Sequence, residues 1–409
     1  YSGLSGGVDP PAGGDSTDTS VSGYTTRVFT TSRALTSYGA GNVSILVVGG
    51  GASGGAGYGG GGGAGGLIYK ATHALTANTY DMVIGAGGAG VTATAGLGNN
   101  GVDTTVTING GAVEFTAKGG GGGGSETSPF EGKDGGSGGG NSYGPSNPGQ
   151  ETQSGMSGDS GTYAFSFDGG VGSNTGWKGG GGGGAGSVGQ AANVGDSDAG
   201  DGGAGKNMGA IFGTAVGDGG WFASGGGGGK GDAGGGGSAS SGGGGAGGNT
   251  SGATGTAGTA NTGGGSGGAA STATTDSTAG GSGIVLVRYA NADFPGLSYN
   301  DITLQSTDTE AEAQPTKADM VMLIEDAGSG VATLGTHIKG YISRDSGTTF
   351  TEGTLVDEGD WGTNKRILAF HDLDISGQPA DQTMCYKITT HSASATYHTK
   401  IHATSIGWR

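Results

Sequence analysis

The chain has 409 residues, of which 107 are glycine, with only 32% hydrophobic and 12% charged side chains and a formal charge of −17. That acidity argues against nucleic-acid binding through a broad basic face. No apolar run approaches the roughly 20 residues that cross a bilayer, so membrane insertion is not expected, and the single cysteine, Cys385, excludes an internal disulfide framework and cysteine zinc sites.

The first 40 residues are rich in Ser, Thr and Gly and hold one strand pattern, "GYTTRVFTTS", in which Tyr24, Thr26, Val28 and Thr30 alternate with Thr25, Arg27, Phe29 and Thr31. They are read as an N-terminal strand and linker, 1–40. Starting at Tyr1 rather than Met, the chain is expected either to have been processed or to begin past the translation start.

From 41 to 292, β-branched and aromatic strands alternate with glycine runs. The strands are expected at 43–48, 67–75, 79–85, 104–110, 112–118 and 283–290, and no segment shows helical periodicity. The first strand runs into "SILVVGGGASG", where Gly49, Gly51 and Gly54 have the spacing of a dinucleotide-binding fingerprint. That fingerprint needs a helix to offer free N–H groups to the pyrophosphate. The continuation "GAGYGGGGGAGGLIY" is too glycine-rich to nucleate one. No cofactor is expected.

An internal repeat carries more information than that motif. "FTAKGGGGGG" (115–124), "GWKGGGGGG" (176–184) and "GWFASGGGGG" (220–229) each set an aromatic, Phe115, Trp177, Trp221 or Phe222, ahead of consecutive glycines, and Gly59–Gly63 follow Tyr58. Glycine offers no side chain to bury, but it permits close backbone approach. Extended threefold helices of polyglycine can pair N–H with C=O between neighbours, which gives order without a hydrophobic core. The runs, with Gly121, Gly181 and Gly227 at their centres, are therefore expected to pack as such a bundle, with the aromatics flanking it. The Ser/Thr-rich stretch around Gly255 suits a flexible linker by composition, and an alanine at Gly255 is expected to do little.

The succession "NVSILVVGGGASGGAGYGGGGGAGG", "YDMVIGAGGAG" and "GGSGIVLVRYA" resembles the glycine-rich domain of bacteriophage tail fibres, adhesins and other virion proteins over about residues 21–290. The resemblance implies a β scaffold with projecting polyglycine segments and a role on the virion surface.

Past 293 the glycine content falls, and residues 293–409 are expected to form a C-terminal β-sandwich, similar to the small β modules that end phage fibre proteins. Its strands are expected at 318–325, 336–343, 349–357, 366–373, 382–390 and 396–408, with Ile338, Gly340 and Ile342 on one face. The segment "SRDSGTTF" resembles the Asp-box, with Ser343, Asp345, Gly347, Thr349 and Phe350 in its places. In families that carry it, the box is a structural turn and not a catalytic one.

Chemistry is sparse. His391, His398 and His402 lack the spacing and the adjacent carboxylate of a metal site, although His398 and His402 could meet around a symmetry axis. "DEGDWG" (357–362) reads as a solvated turn, not a calcium loop. Cys385 reads as a small buried hydrophobe. No serine stands in a nucleophile elbow with a base and an acid.

The sequence thus predicts an all-β, non-enzymatic virion structural protein, a tail-fibre or head-fibre and decoration component, without metal or cofactor. Its expected partners are other virion proteins and a host-surface glycan or outer-membrane receptor. It is expected to form a homotrimer, because glycine-rich chain has little apolar area with which to stabilise itself alone. Two rival readings are a secreted self-assembling bacterial adhesin and a tail-spike glycan depolymerase.

Overall fold

A computed structural model describes residues 4–5, 9–92, 96–127, 129–144, 146–153, 164–192, 197–231, 234–249, 252–270, 276–294, 298–394 and 396–409. The protein is almost entirely β, with one helical turn at Gly209–Phe212 among the described residues. It divides into two compact units, Val8–Phe294 and Pro295–Arg409, the latter joined by Tyr1–Gly7. Residues 4–5 belong to the second unit because Leu4 and Ser5 pair with Tyr299 and Ser298.

In the first unit, two antiparallel sheets face one another. One has the order Ala164–Phe165, Leu67–Leu75, Gly41–Val48, Ile284–Ala290, Tyr24–Phe29, Ser16–Asp18. The other runs Val113–Ala117, Thr104–Ile108, Asn78–Val83, Arg33–Ser37, Ala12–Gly13. Residues 12–37 supply strands to both sheets and so are built into this unit, where the sequence suggested a separate N-terminal strand and linker.

The framing motifs meet at the centre of the six-stranded sheet, where Ile45 lies opposite Val287 and Val47 opposite Val285. These four side chains point toward the second sheet, into a core with Phe29, Leu35, Tyr80, Met82, Val106 and Phe115. The alternate residues Leu46, Val48, Ile284 and Leu286 point the other way. There Met208, Phe212, Val216 and Phe222 cover them, which explains why these strands read as unbroken apolar runs.

Between Val48 and Ile284, glycine segments leave this scaffold between its strands. Gly59–Gly66 show how the glycine segments are ordered. The N–H groups of Gly59, Gly62 and Gly65 donate to the carbonyls of Ala269, Ser266 and Gly263; those of Gly60, Gly63 and Gly66 to Gly124, Gly121 and Lys118; and those of Gly61 and Ala64 to Gly180 and Gly183, all at 2.8–3.0 Å. The partner changes with a period of three, the mark of a threefold polyglycine helix.

The carbonyls repeat the pattern toward three other runs. Gly59 and Gly62 accept from Gly229 and Gly226; Gly60, Gly63 and Gly66 from Gly55, Ala52 and Gly49; and Gly61 and Ala64 from Gly140 and Ser137. One run thus has six neighbours, with its backbone groups paired and almost no side chain. Gly179–Gly184 follow the same rule, donating in turn to Gly229 and Gly226, Asn141 and Gly138, and Gln190 and Ser187.

The second unit buries side chains conventionally. Thr303–Gln305, Thr383–Thr390, Ile338–Ser343 and Thr351–Gly353 form one sheet, which Thr309–Glu310 also joins. Val356–Gly362, Lys365–Asp374, Lys317–Asp326 and Thr399–Trp408 form the other. Strict alternation along Lys317–Asp326 buries Met320, Met322 and Ile324 in a core with Ile338, Ile342, Phe370, Met384 and Ile388. The "DEGDWG" segment is not a turn, as its composition suggested, but part of the exposed edge strand Val356–Gly362, whose ladder is interrupted twice.

Candidate functional site

The bundle has two different ends. Gly49–Ala56 continue the strand ending at Val48, and Gly59–Gly66 run back into Leu67, with Gly49 bonded to Gly66 and Gly55 to Gly60. Residues 56–58 therefore turn at the far end, about 20 Å from the sheet at the 3.1 Å rise of a threefold helix. Pairing with this hairpin fixes the other runs. Gly124, Gly140, Gly180, Gly229 and Ala269 all lie level with Gly59–Gly61, so the adjoining residues 125–127, 141–144 and 173–178 also fall at the far end.

Four aromatic rings gather there. Trp177 and Tyr143 stack with centroids 5.3 Å apart and planes at 22°. Tyr58 stands edge-on to both, 4.9 Å from Trp177 and 5.6 Å from Tyr143. Phe130 lies 5.6 Å from Tyr143 on another side. Tyr58 is buried, whereas Trp177 is 47% exposed. Both have left-handed backbones, with φ of +43° at Tyr58 and +49° at Trp177, where a bulky L-residue is strained.

The ground beneath the rings is well tied. Ser173 and Lys178 exchange N–H···O=C bonds of 2.8 and 3.1 Å, closing the turn that presents Trp177. The Ser142 hydroxyl donates to the Tyr58 carbonyl at 2.9 Å. Buried Asn141 donates to the Ser146 carbonyl at 2.7 Å and accepts from the Gly172 N–H, linking the loop of Tyr143 to that of Trp177.

Lys178 and Lys230 bridge backbone to backbone, and both are buried. The Lys230 ammonium bonds to the Ser197 carbonyl. Nearby, the Gly235 N–H and the Ser197 hydroxyl hold the Asp198 carboxyl below the usual range, with Lys230 and Lys178 adding to the effect.

The flanking aromatics singled out from the sequence thus part company. Tyr58 and Trp177 are at the tip, whereas Phe115 fills the sandwich core and Phe222 the layer outside it. Tyr143 and Phe130 were missed, since neither adjoins a long glycine run. A Cβ on Gly121, Gly181 or Gly227 would run into the carbonyl of Lys133, Asp201 or Gly237. Gly255 is no linker either: its Cβ would meet the Gly267 carbonyl.

In the second unit the Asp-box residues form a tight hairpin end. Ser343 Oγ donates to Asp345 Oδ1 at 2.7 Å and accepts from the Gly347 N–H at 2.9 Å, while Asp345 Oδ1 accepts from the Thr349 N–H at 2.8 Å. Gly347 has φ +76°, and the Lys387 ammonium lies 4.0 Å from the Phe350 ring centre. Burial pushes the Asp345 carboxyl up, but the Ser343 and Thr349 hydrogen bonds outweigh it and hold the carboxyl below its ordinary range.

Between Ser343 and Asp345 lies a residue that no sequence pattern singles out. Arg344 is 2% exposed. Its guanidinium donates to the carbonyls of Pro379 (3.1 Å), Pro315 (2.6 Å), Ser376 (2.9 Å) and Gln378. These are neutral acceptors around a buried charge, a structural clamp.

His402 contacts Glu325 at 3.1 Å and lies edge-on to Trp361, while His398 Nδ1 lies 3.1 Å from the Ser394 carbonyl. Among the described residues, no group of three or more His, Cys, Asp or Glu is placed to hold a metal ion. Cys385 is buried, and burial raises its thiol. Among the described residues, no helix is long and apolar enough to cross a membrane.

Comparison with curated proteins finds no match to this chain. A family model described as "Glycine-rich domain" matches residues 26–290. That interval begins in the strand Tyr24–Phe29, closes on Ala290 and takes in the whole bundle, so the chain belongs to this glycine-rich domain family.

Proposed function

We propose that this protein is a non-enzymatic structural component of a virion, in a tail fibre or a head fibre, which presents the far end of its glycine bundle to a host surface. One observation carries the reading. The bundle satisfies its backbone internally and spends its side chains at the tip, where Trp177 and its neighbouring rings stand on strained, hydrogen-bonded turns. A rigid spacer with a differentiated end suits contact at a distance better than catalysis, which needs polar groups converging in a cleft.

Host-surface glycan or outer-membrane receptor is the partner class on this reading, and other virion proteins hold the opposite end. Trimerisation remains part of the proposal, although a single chain already pairs its glycine runs; a stable monomer in light scattering at micromolar concentration would remove it. Mass spectrometry of purified virions tests the location, and detection in particles is the expected outcome. Absence from particles with abundance on cell surfaces would favour the secreted adhesin. New reducing ends after incubation with host glycans would overturn the non-enzymatic reading in favour of a depolymerase.

A further inference from the structure

We infer that the aromatic shelf of Trp177 and Tyr143 is a carbohydrate-binding site that takes the flat face of a pyranose ring. The inference rests on the adhesive reading of the tip and names the class of ligand.

Three features lead to it. First, the shelf is one-sided: Tyr143 stacks on Trp177 at 22°, Tyr58 abuts it at 70°, and 47% of the Trp177 surface remains in solvent. A planar apolar face of this kind matches the C–H face of a sugar ring, whose partial positive charge meets the negative π face of the indole.

Second, stability does not account for the choice of residue. Trp177 has φ +49° directly after Gly176 at +76°, in a turn that glycine or asparagine would occupy without strain. An aromatic in a strained position and half exposed points to a ligand.

Third, the rim is polar. Asn174 and Thr175, exposed in the same turn, offer an amide and a hydroxyl to the ring substituents of a sugar. The turn is closed by the Ser173–Lys178 bonds and the Asn141 bridge, so little order need be imposed when a sugar binds.

The test uses the full chain on an array of immobilised oligosaccharides and bacterial surface polysaccharides. Wild type is expected to bind at least one pyranose glycan. Trp177→Asn, which accepts the left-handed backbone, should weaken that binding about tenfold or more. Trp177→Phe, which keeps a smaller ring, should retain part of it. Thermal melting of Trp177→Asn should stay within about 3 °C of wild type, which separates loss of the ring from loss of the fold.

A blank array, or undiminished binding by Trp177→Asn, would overturn the inference. Adsorption to host cells together with a blank array would overturn the glycan class and leave the adhesive reading standing. Glycan binding that depends on Trp177, in a chain absent from virions, would support the site and overturn the virion reading.

Discussion

The two units reach order by opposite means. In the second, the ten-residue strand Lys317–Asp326 buries one side chain in two, and Met320, Met322 and Ile324 enter a common core. In the glycine bundle, Gly59–Gly66 bury almost nothing but backbone and pair it with six neighbouring runs. A hydrophobic core tolerates exchanges of similar volume because side chains can repack, whereas contact between two backbones leaves nothing to repack. The first kind of order is therefore sensitive to the chemistry of a residue, and the second to the mere presence of a Cβ.

The largest expected loss belongs to the side-chain unit. Arg344→Met would strip the buried carbonyls of Pro315 and Gln378, and the more accessible ones of Ser376 and Pro379, of their donor. Each buried acceptor left without its donor typically costs about 1–3 kcal/mol, and several are lost together here. In calorimetry of the whole chain, the transition of the C-terminal unit should fall and that of the glycine-rich unit should hold. A shift of both by the same amount would show that the units melt together.

Single methyl groups in the bundle come next. Gly121→Ala and Gly181→Ala place a Cβ against the carbonyls of Lys133 and Asp201, and each should cost about 1–3 kcal/mol through overpacking. Gly255→Ala, which faces the Gly267 carbonyl, should behave like them and not like a linker change. Gly377 in the C-terminal unit has open space around it, so Gly377→Ala should stay within about 0.5 kcal/mol of wild type. Thermal melts of the four variants decide the comparison, and equal small shifts would return the runs to spacers.

The parts of this architecture that side chains specify were legible in the sequence. Alternation or apolar runs located the strands Leu67–Leu75, Thr104–Ile108, Ile284–Ala290, Lys317–Asp326 and Lys365–Asp374 within a few residues. The neighbours of each glycine run were not legible, because five identical residues carry no pattern to say that Gly62 meets Ser266 and Gly63 meets Gly121. Around the one strand pattern at Tyr24–Phe29, the strands Ala12–Gly13, Ser16–Asp18 and Arg33–Ser37 were not legible because they are short and carry few apolar residues, yet Leu35 is buried. Arg344 was passed over because arginine is rarely buried. At the tip, Trp177 and Tyr58 carried a signal through their position beside glycine runs, and Tyr143 carried none.

The smallest expected effect probes where the first unit does rely on side chains. Its two sheets are joined at Thr30–Ser32, between the strands Tyr24–Phe29 and Arg33–Ser37, and Asp15 fastens that crossing. The Asp15 carboxylate accepts from the N–H groups of Thr30 and Thr31 at 2.8 Å each and from the Thr31 hydroxyl at 2.7 Å, and it pairs with Arg33 at 2.6 Å. Burial pushes this carboxyl up, but these bonds and the guanidinium outweigh it and hold it at about 2.

With the folded value below the ordinary carboxylate range, the unfolded chain takes up a proton first as acid is added. The contribution of Asp15 is therefore complete above about pH 4 and is lost as the pH falls toward 2. After allowance for screening near the surface, its loss should amount to about 1 kcal/mol. Asp15→Asn should lower the melting temperature of the glycine-rich unit by a few degrees at pH 7 and leave it nearly unchanged at pH 2. Calorimetry at both pH values reads the difference. An equal shift at the two would mean that the hydrogen-bond geometry, and not the charge, holds the crossing, and backbone pairing would then account for still more of the order in this unit.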